Sequence, residues 1–469
     1  MAKSFEVDMT KGPLVKKMII YALPILGINI VQLLFNAADV TVLGIFASDS
    51  AVAAVGATTS LCNLIIGFFI GLSLSANILV ARYMGAKEVE KSRRLVGTSI
   101  FLSIIVGVAL SLVGFFGAKT FLIWMNCDNN VLEMATTYMK IYFLGMPIVM
   151  LYNFSASIMR AVGDTTRPFI FLIVGGVLNI GLNIFFIIVL GKDVEGVAIA
   201  TVASQGVAAI LSIIVLIKSN GYAKFEKKYF RIFKKELLEI IKYGLPIGFQ
   251  RCMFSLSNVV LASTINSYGE KLMAANTIAH QFDAIVHDAT DAFAMATMAF
   301  LSQNLGAKNF KRIWQIIWRS LAMVAIVGGT LGAITLLLSP QLCDIMTDDP
   351  EIISYGVIRI SVMGAFHFLT GTMNVFANTL RGIGKNLSAM ICSLMCTCVF
   401  RILWIKTIYL LAPSPMMIYV VYPISWLLCA VCYASIAIPT LRKMQKAHEK
   451  SLLEKQMQEN FDLNHNKAC

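Results

Sequence analysis

The chain has 469 residues, of which 58% are hydrophobic and only 14% are charged. Soluble domains are typically about a quarter charged, so this composition excludes an ordinary soluble protein and indicates one that lies in a membrane. The net charge of +13 does not indicate nucleic-acid binding, because the basic residues lie in alternate short loops, as they do in membrane proteins. We expect contact with membrane lipids and no nucleic-acid partner.

Apolar runs long enough to cross a bilayer, about 20 residues each, recur along the chain with short polar interruptions. The first run begins near Met18 and lacks a small-residue cleavage site, so we expect it to be retained. The pattern therefore predicts an all-α polytopic membrane protein with twelve spans. These spans are 17–45, 52–80, 95–117, 133–158, 166–190, 195–217, 238–267, 273–302, 313–338, 352–379, 387–411 and 415–440.

The loops between the spans differ in charge. Loops after even-numbered spans are rich in Lys and Arg, for example at 82–94 and 218–235, whereas odd-numbered loops carry acids such as Asp128 and Glu195. Basic loops stay on the cytoplasmic side of a membrane. The sequence thus predicts a multi-pass protein of the cell membrane with both termini in the cytoplasm.

The two halves of the sequence repeat one another at an offset of 221 to 222 residues. The paired motifs are Leu23-Pro24-Ile25 with Leu245-Pro246-Ile247, Gly85-Ala86-Lys87 with Gly306-Ala307-Lys308, and Arg160-x-x-Gly163 with Arg381-x-x-Gly384. Six spans in each half give both halves the same orientation, the parallel-repeat arrangement of several transporter folds. A central cavity should then lie between them.

The repeat divides the chain into two pseudo-symmetric six-helix lobes, at 1–217 and 238–441. A basic cytoplasmic linker at 218–237 joins them and is predicted to form a surface amphipathic helix. A polar cytoplasmic tail occupies 442–469. Because the cavity needs only one chain, we expect the protein to function as a monomer.

A polar stripe runs along span 1 through Asn29, Gln32, Asn36 and Asp39, whose spacing places them on one helix face. A carboxylate at the bilayer centre costs roughly 2.5–3.5 kcal/mol on insertion scales. Asp39 is therefore predicted to be neutralised by a proton or paired with a cation. The alternative is that Asp39 lies near the outer mouth and is hydrated.

Oxygen-bearing side chains recur on two further spans of the first half. Asn179 and Asn183 are four residues apart on span 5, as are Thr201 and Gln205 on span 6. A carboxylate among amide and hydroxyl oxygens suits either Na⁺ or H⁺ as a coupling ion, and the sequence does not choose between them. Interhelical hydrogen bonding is an alternative role for the asparagines.

Pro24 removes a backbone hydrogen bond inside span 1 and predicts a hinge there, with a static kink as the alternative. In the second half, span 8 carries two histidines and two acids on one face, which indicates a hydrated acidic cavity wall; a metal site or a proton relay is the alternative. The residues predicted to line the cavity are Gln32, Asn36, Gln205, His280, Asp283, His287, Asp291 and Asn374.

The sequence lacks the motifs of nucleotide-binding and hydrolytic enzymes, namely GxGxxG, GxxxxGK[ST], GxSxG and HExxH. Cys429 and Cys432 form a CxxC inside an apolar span without a second ligand pair, which disfavours a metal or redox site. We therefore expect no enzyme activity, no cofactor and no bound metal, and an ion gradient as the energy source.

The paired motifs, together with Asn36–Gly44 and Met159–Asp164, resemble those of the multidrug and toxic compound extrusion (MATE) family over roughly residues 14–442. The resemblance implies a V-shaped pair of lobes that exports organic cations or drugs by alternating access, in exchange for H⁺ or Na⁺. It assigns ion coupling to four residues, Asp39, Asn179, Asn183 and Thr201.

Some members of that family also carry a Glu on helix 7 and an Asp on helix 10, where this sequence has Phe254 and Thr370. The resemblance therefore does not extend to that second ion site. Two other functions are compatible with a polytopic protein of this kind. They are a lipid-linked-saccharide flippase, a class that tends to have arginines in its cavity, and a passive channel.

Overall fold

The computed structural model describes residues 6–468, and it contains helices and no strand within that range. The helices of the first half are α1 (Leu14–Phe46), α2 (Asp49–Gly85), α3 (Val89–Trp124), α4 (Asn129–Leu144), α5 (Met146–Ala161), α6 (Thr166–Ile184) and α7 (Val194–Lys218). Those of the second half are α8 (Lys234–Asn266), α9 (Glu270–Gly306), α10 (Phe310–Leu337), α11 (Ser339–Asp344), α12 (Pro350–Gly382), α13 (Asn386–Ser393), α14 (Phe400–Lys406), α15 (Ile408–Leu411) and α16 (Pro415–Ala468). Every predicted span coincides with one of these helices or with a consecutive run of them.

In the described part of the chain, nine helical segments are long and apolar enough to cross a membrane. A tenth crossing results if α4 and α5, which meet at an angle of 49°, act as one bent span. The chain is thus a multi-pass membrane protein. α8 and α9 do not belong to this set, because polar and charged side chains interrupt their apolar residues, so their crossings and the total of twelve stay predictions.

The paired sequence motifs have the same backbone conformation in both halves. Lys87 and Lys308 have φ angles of 61° and 55°, and Gly163 and Gly384 have φ angles of 91° and 87°. A positive φ is uncommon for a residue with a Cβ, so its occurrence at both paired lysines is a specific structural match. The repeat seen in the sequence is therefore also a repeat of local structure.

The halves pack closely at the end of the molecule that carries the basic loops, here called the basic end. A Cβ on Gly85 would overlap the Gln303 carbonyl, and a Cβ on Gly306 would overlap the Arg82 carbonyl. Because glycine lacks a Cβ, it allows this backbone approach. The two contacts are reciprocal, since the repeat pairs Gly85 with Gly306.

The halves separate toward the opposite end, here called the acidic end because its loops carry Asp128 and Glu195. One buried cluster joins Met18 and Ile25 of α1 to Phe300 of α9, and it lies toward the basic end. Buried clusters toward the acidic end contain residues of only one half. The fold therefore resembles a V that is closed at the basic end.

Residues 6–12, here called the N-terminal strap, cross between the halves at the closed end. The Val7 amide donates to the Val162 carbonyl of the first half at 2.8 Å. The Met9 amide donates to Gln303 Oε1 of the second half at 2.5 Å, and Met9 is fully buried. Arg312 donates to the carbonyls of Met9, Lys11 and Gly12, each at 3.0 Å. The strap thus fastens the two halves together.

The prediction of an amphipathic helix in the linker is wrong. Residues 219–233 contain only a short 3₁₀ turn, Lys227–Tyr229, and follow an irregular path. Short isolated helices are marginal in water, whereas this path buries Ala223 and pairs Glu226 with Arg93 of α3 at 2.5 Å. Contacts with the first half therefore outweigh the helical tendency of the linker.

Arg312→Ala should loosen the strap. Three hydrogen bonds from a charged group are lost, and each such bond contributes about 1.5–3 kcal/mol. We expect trypsin to cleave native protein after Lys11 about tenfold faster or more, since tenfold corresponds to about 1.4 kcal/mol. N-terminal sequencing of the products measures this. Lys311→Ala, which removes the exposed neighbouring cation, is the control, and equal cleavage of both variants would contradict a fastening role.

Candidate functional site

Asp39 of α1 lies against two asparagines of α6. Asn183 Nδ2 donates to Asp39 Oδ1 at 2.5 Å and approaches Asn179 Oδ1 at 3.4 Å. Asn179 Nδ2 in turn lies 3.4 Å from Thr201 Oγ1 on α7. The structure thus places the four residues predicted for ion coupling in one row across three helices, here called the Asp39 row.

Close packing of α6 on α1 makes this row possible. A Cβ on Gly176 would overlap the ring of Phe35, so glycine at that position lets the two helices approach. Asn183 lies two turns farther along α6, at the level of Asp39. Directly after it, the helix continues as a π-helical turn, Phe185–Val189, a feature often found at functional sites.

The Asp39 row has unused acceptor capacity. Asn183 is fully buried, and its Oδ1 atom has no hydrogen-bond partner. No basic side chain of the described residues faces Asp39. A buried acceptor without a donor costs about 1–3 kcal/mol, and a cation or a protonated carboxyl would remove that cost. The geometry therefore suits binding of a small cation or a proton.

Two tyrosines near Asp39 were missed by the sequence analysis. Tyr138 and Tyr142 of α4 lie within electrostatic reach of Asp39, and their rings stack with centroids 6.0 Å apart. Their phenol groups add two hydroxyls to the surroundings of the carboxyl. The signal was present in the sequence, because the two are four residues apart in a largely apolar span.

The other polar residues predicted for the first half lie outside the row. Gln32 and Asn36 are exposed on α1, and Gln205 is half-buried on α7. None of their three side chains has a hydrogen bond to another described residue. Their role in lining the cavity stays a prediction.

The polar face predicted on span 8 divides into two environments. The side chain of Asp283 is 13% exposed and lies inside the second half, where its Oδ2 atom accepts from Arg359 Nε at 2.8 Å. Arg359 also donates to Asn276 Oδ1 and lies 5.6 Å from the ring centroid of Tyr419. The charge of Asp283 is thus balanced within the half, which the sequence did not predict.

The remaining residues of this face are accessible. His287 and Asp288 have side chains that are 49% and 42% exposed, and His280 is exposed one turn before Asp283. Asp291 interacts electrostatically with Arg251 of α8 and Arg381 of α12. Asn374 on α12 is half-buried, and its side chain has no hydrogen bond with another described residue.

Arginines were absent from the predicted cavity residues, and the structure places three near one another. Arg251 is exposed yet surrounded by protein, as expected for a side chain that lines a solvent-filled cavity, and it interacts with Arg160 of the first half and Arg381 of the second. Asp291 is the acid that interacts with Arg251 and Arg381. The cavity wall is therefore mixed in charge rather than purely acidic.

The CxxC of the last span has a cysteine neighbour that the sequence analysis did not anticipate. Cys432 Sγ lies 2.8 Å from Cys392 Sγ of α13, and Cys396 contacts both Cys429 and Cys432. Among the described residues, no group of three or more His, Cys, Asp or Glu is arranged to hold a metal ion. The four thiols thus join two helices of the second half.

Comparison with known proteins gives a consistent result. A family model described as MatE matches residues 24–185 and 246–405, two stretches that begin at Pro24 and Pro246. The chain is 27% identical over 380 residues to the probable multidrug resistance protein YoeA of Bacillus subtilis (strain 168), covering 79% of this chain and 81% of that protein. It is also 27% identical over 385 residues to the probable multidrug resistance protein NorM of Thermotoga maritima, covering 80% and 82%.

A solved structure is similar over almost the whole fold. It is described as the outward-facing conformation of a multidrug resistance MATE family transporter of the MOP superfamily. The TM-score is 0.88 at 22% sequence identity, and the match covers 95% of this chain and 100% of that one. At this identity the likeness establishes the fold.

Arg359→Met should destabilise the second half. It leaves the largely buried Asp283 carboxylate without its ion-pair partner, and loss of a partner from a buried pair costs about 3–5 kcal/mol. The double variant Asp283→Asn/Arg359→Met should lose less stability than Arg359→Met alone, because no unpaired charge remains. Thermal unfolding in detergent measures both, with Arg319→Met at an exposed arginine of α10 as the control. Additive losses in the double variant would contradict a direct ion pair.

Proposed function

The chain belongs to the MatE family of transporters, whose model matches more than half of it, and we propose that it exports drugs or toxic organic compounds in exchange for H⁺ or Na⁺. The Asp39 row is the observation that carries this proposal. It holds a carboxylate on an apolar helix that accepts a hydrogen bond from the amide N–H of Asn183 and is faced by no described basic group. A site of this kind can gain and lose a cation, whereas the charge of Asp283 is already balanced by Arg359.

α1 offers a route from this site to the packing of the two halves. Asp39 lies on the part of α1 near the acidic end, whereas Met18 and Ile25 of the same helix pack against α9 at the closed end. Pro24 lies within the closed-end part of α1, directly before Ile25 and about 22 Å along the helix from Asp39 at 1.5 Å per residue. Bending at Pro24 would link occupancy of Asp39 to packing of the halves.

Ion binding then shifts the equilibrium between two arrangements of the halves. A ligand can do this only through different affinities for the two states, and α1 supplies such a difference if its bend changes the distance between Asp39 and Asn183. With the basic loops in the cytoplasm, the V closed at the basic end is the outward-open state. The substrate would bind between the halves of a single chain, among the predicted cavity residues.

Relatives named as multidrug resistance proteins support small organic molecules as substrates. The family resemblance favours organic cations as substrates. Two partly exposed acids of α9, Asp288 and Asp291, are consistent with this. The membrane is proposed to be the cell membrane, with both termini in the cytoplasm. No cofactor takes part in this mechanism.

A second candidate function is the flipping of a lipid-linked saccharide. The arginines Arg160, Arg251 and Arg381 favour it, because they bring positive charge from both halves to one region. Guanidinium groups bind phosphate in bidentate geometry. Flipping of a fluorescent polyprenyl-pyrophosphate saccharide in proteoliposomes, without drug efflux, would favour this function over the first.

Asp39→Asn should abolish gradient-driven export while the protein still folds. The amide cannot exchange a proton or balance a bound cation, so the coupling step is lost. Efflux of a fluorescent organic cation from proteoliposomes measures this, with a proton gradient alone and a sodium gradient alone. Glu133→Gln, at a carboxylate 76% exposed on the surface, is the matched control. Full efflux by folded Asp39→Asn, or wild-type efflux indifferent to both gradients, would contradict antiport.

Asn183→Leu should distinguish the two ions. If the ion is H⁺, loss of an N–H donor disfavours the ionised Asp39, so the pH of half-maximal transport should rise. If the ion is Na⁺, loss of an oxygen ligand should weaken its apparent affinity by about tenfold, or about 1.4 kcal/mol. Rates at varied pH and varied sodium measure both. No change in either dependence would remove Asn183 from the coupling site.

A further inference from the structure

His367 of α12 lies deep in the second half without a hydrogen bond. It is 2% exposed, and neither of its ring nitrogens has a hydrogen-bond partner. An imidazole carries at least one N–H at any pH. A buried donor without an acceptor is destabilising, so the ring has a hydrogen-bonding capacity that the structure leaves unused.

Asp283 is the acceptor placed to use this capacity. Its Oδ1 atom lies 3.6 Å from His367 Nε2, while its Oδ2 atom is bonded to Arg359. A movement of about half an ångström would bring the first distance into hydrogen-bonding range. The ring of His367 is held on its other side by Trp426 of α16, with centroids 6.1 Å apart and planes inclined by 23°.

We propose that His367 and Asp283 form a proton-binding site in the second half, separate from the Asp39 row. In this site His367 takes up a proton, and its Nε2–H then donates to Asp283 Oδ1. Arg359 keeps its contacts with Asn276 and Tyr419, so it retains partners when Asp283 is shared. The combined net charge of His367, Asp283 and Arg359 then changes from zero to +1.

The groups that face this site come from each neighbouring helix. α9 contributes Asp283 and His280, and α16 contributes Tyr419 and Tyr422, which interact with Arg359 or Asp283. From α10, Gly332 faces the Cβ of His367, and no described charged group of α10 is in contact with it. Protonation therefore acts on Asp283 and Arg359 first, and through them on the packing of α9, α12 and α16.

Two exposed histidines of α9 flank the site. His280 is exposed, and the side chain of His287 is 49% exposed; the two lie about one turn on either side of Asp283. Both can relay protons near neutral pH. His367 is also one turn from Thr370, the position at which the family resemblance would place an acid. This chain thus has its own residues for a second-half site.

The proposal rests on the proposed function in one respect, namely that protons bound here contribute to transport. Two measurements distinguish failure of this proposal from failure of the proposed function. The first uses no substrate: spin labels on non-canonical amino acids at Asn129 and Glu270 report the distance between the halves at the acidic end, from pH 5 to pH 8 in detergent. The second compares proton and drug fluxes in proteoliposomes.

The wild type should show a pH-dependent change in this distance that His367→Gln loses. If the ion at Asp39 is H⁺, a second change should be present and be lost in Asp39→Asn. His448→Gln, which removes a histidine of α16 that contacts Phe310 far from Asp283, should lose neither. In proteoliposomes, His367→Gln should export drug with about one proton fewer for each drug molecule. His367→Asn is the second variant if Gln impairs folding.

Distance curves of His367→Gln and His367→Asn that superimpose on the wild type would overturn the site, even if antiport is established. Wild-type efflux driven by sodium alone, with no loss in His367→Gln, would also overturn it and leave the proposed function intact. Conversely, a distance change lost only in the His367 variants, in a protein without gradient-driven efflux, would support the site and remove the proposed function.

Discussion

A charged side chain within a membrane-embedded bundle has to be paired, hydrated or neutralised, and this constraint determines where the chemistry of the protein lies. In the second half, Asp283 satisfies it with Arg359 at 2.8 Å. In the first half, Asp39 has amide and hydroxyl neighbours and no described cation. In the proposed mechanism the first half therefore depends on a mobile ion for its charge balance, whereas the second half carries its counter-charge in the chain.

The two halves share a scaffold but differ in chemistry. The paired turns have matching φ angles, and the paired glycines Gly85 and Gly306 make reciprocal contacts. At the position that the repeat pairs with Asn179, however, the second half has Arg401, which is 3% exposed and donates to Ser425 Oγ at 3.0 Å. A fixed guanidinium there repels a cation. A copy of the Asp39 row is thus excluded at the repeated place.

Properties that depend on local periodicity could be predicted from the sequence. Apolar runs predicted the helices. The four-residue spacing of Asn179 and Asn183 predicted that these two members of the Asp39 row lie on the same face of one helix. Partners across helices could not be predicted, because Arg359 is 76 residues from Asp283 and no periodicity relates them. The strap was missed for a similar reason, since residues 6–12 have no apolar pattern and gain their structure only from contacts with both halves.

The strap and α1 form one continuous element between the closed end and the Asp39 row. The strap is bonded to both halves, and it passes through Gly12, with a φ of 77°, and Pro13 into α1. A bend of α1 at Pro24 would therefore act against an anchored end instead of a free one. Because the N-terminal end of α1 is held by the strap, the helix cannot move as a whole when Asp39 changes its charge. The change is then transmitted to the contacts of Met18 and Ile25 with α9. Release of the strap would then be part of opening the basic end, which places the first residues of the chain in the same two-state equilibrium as the ion.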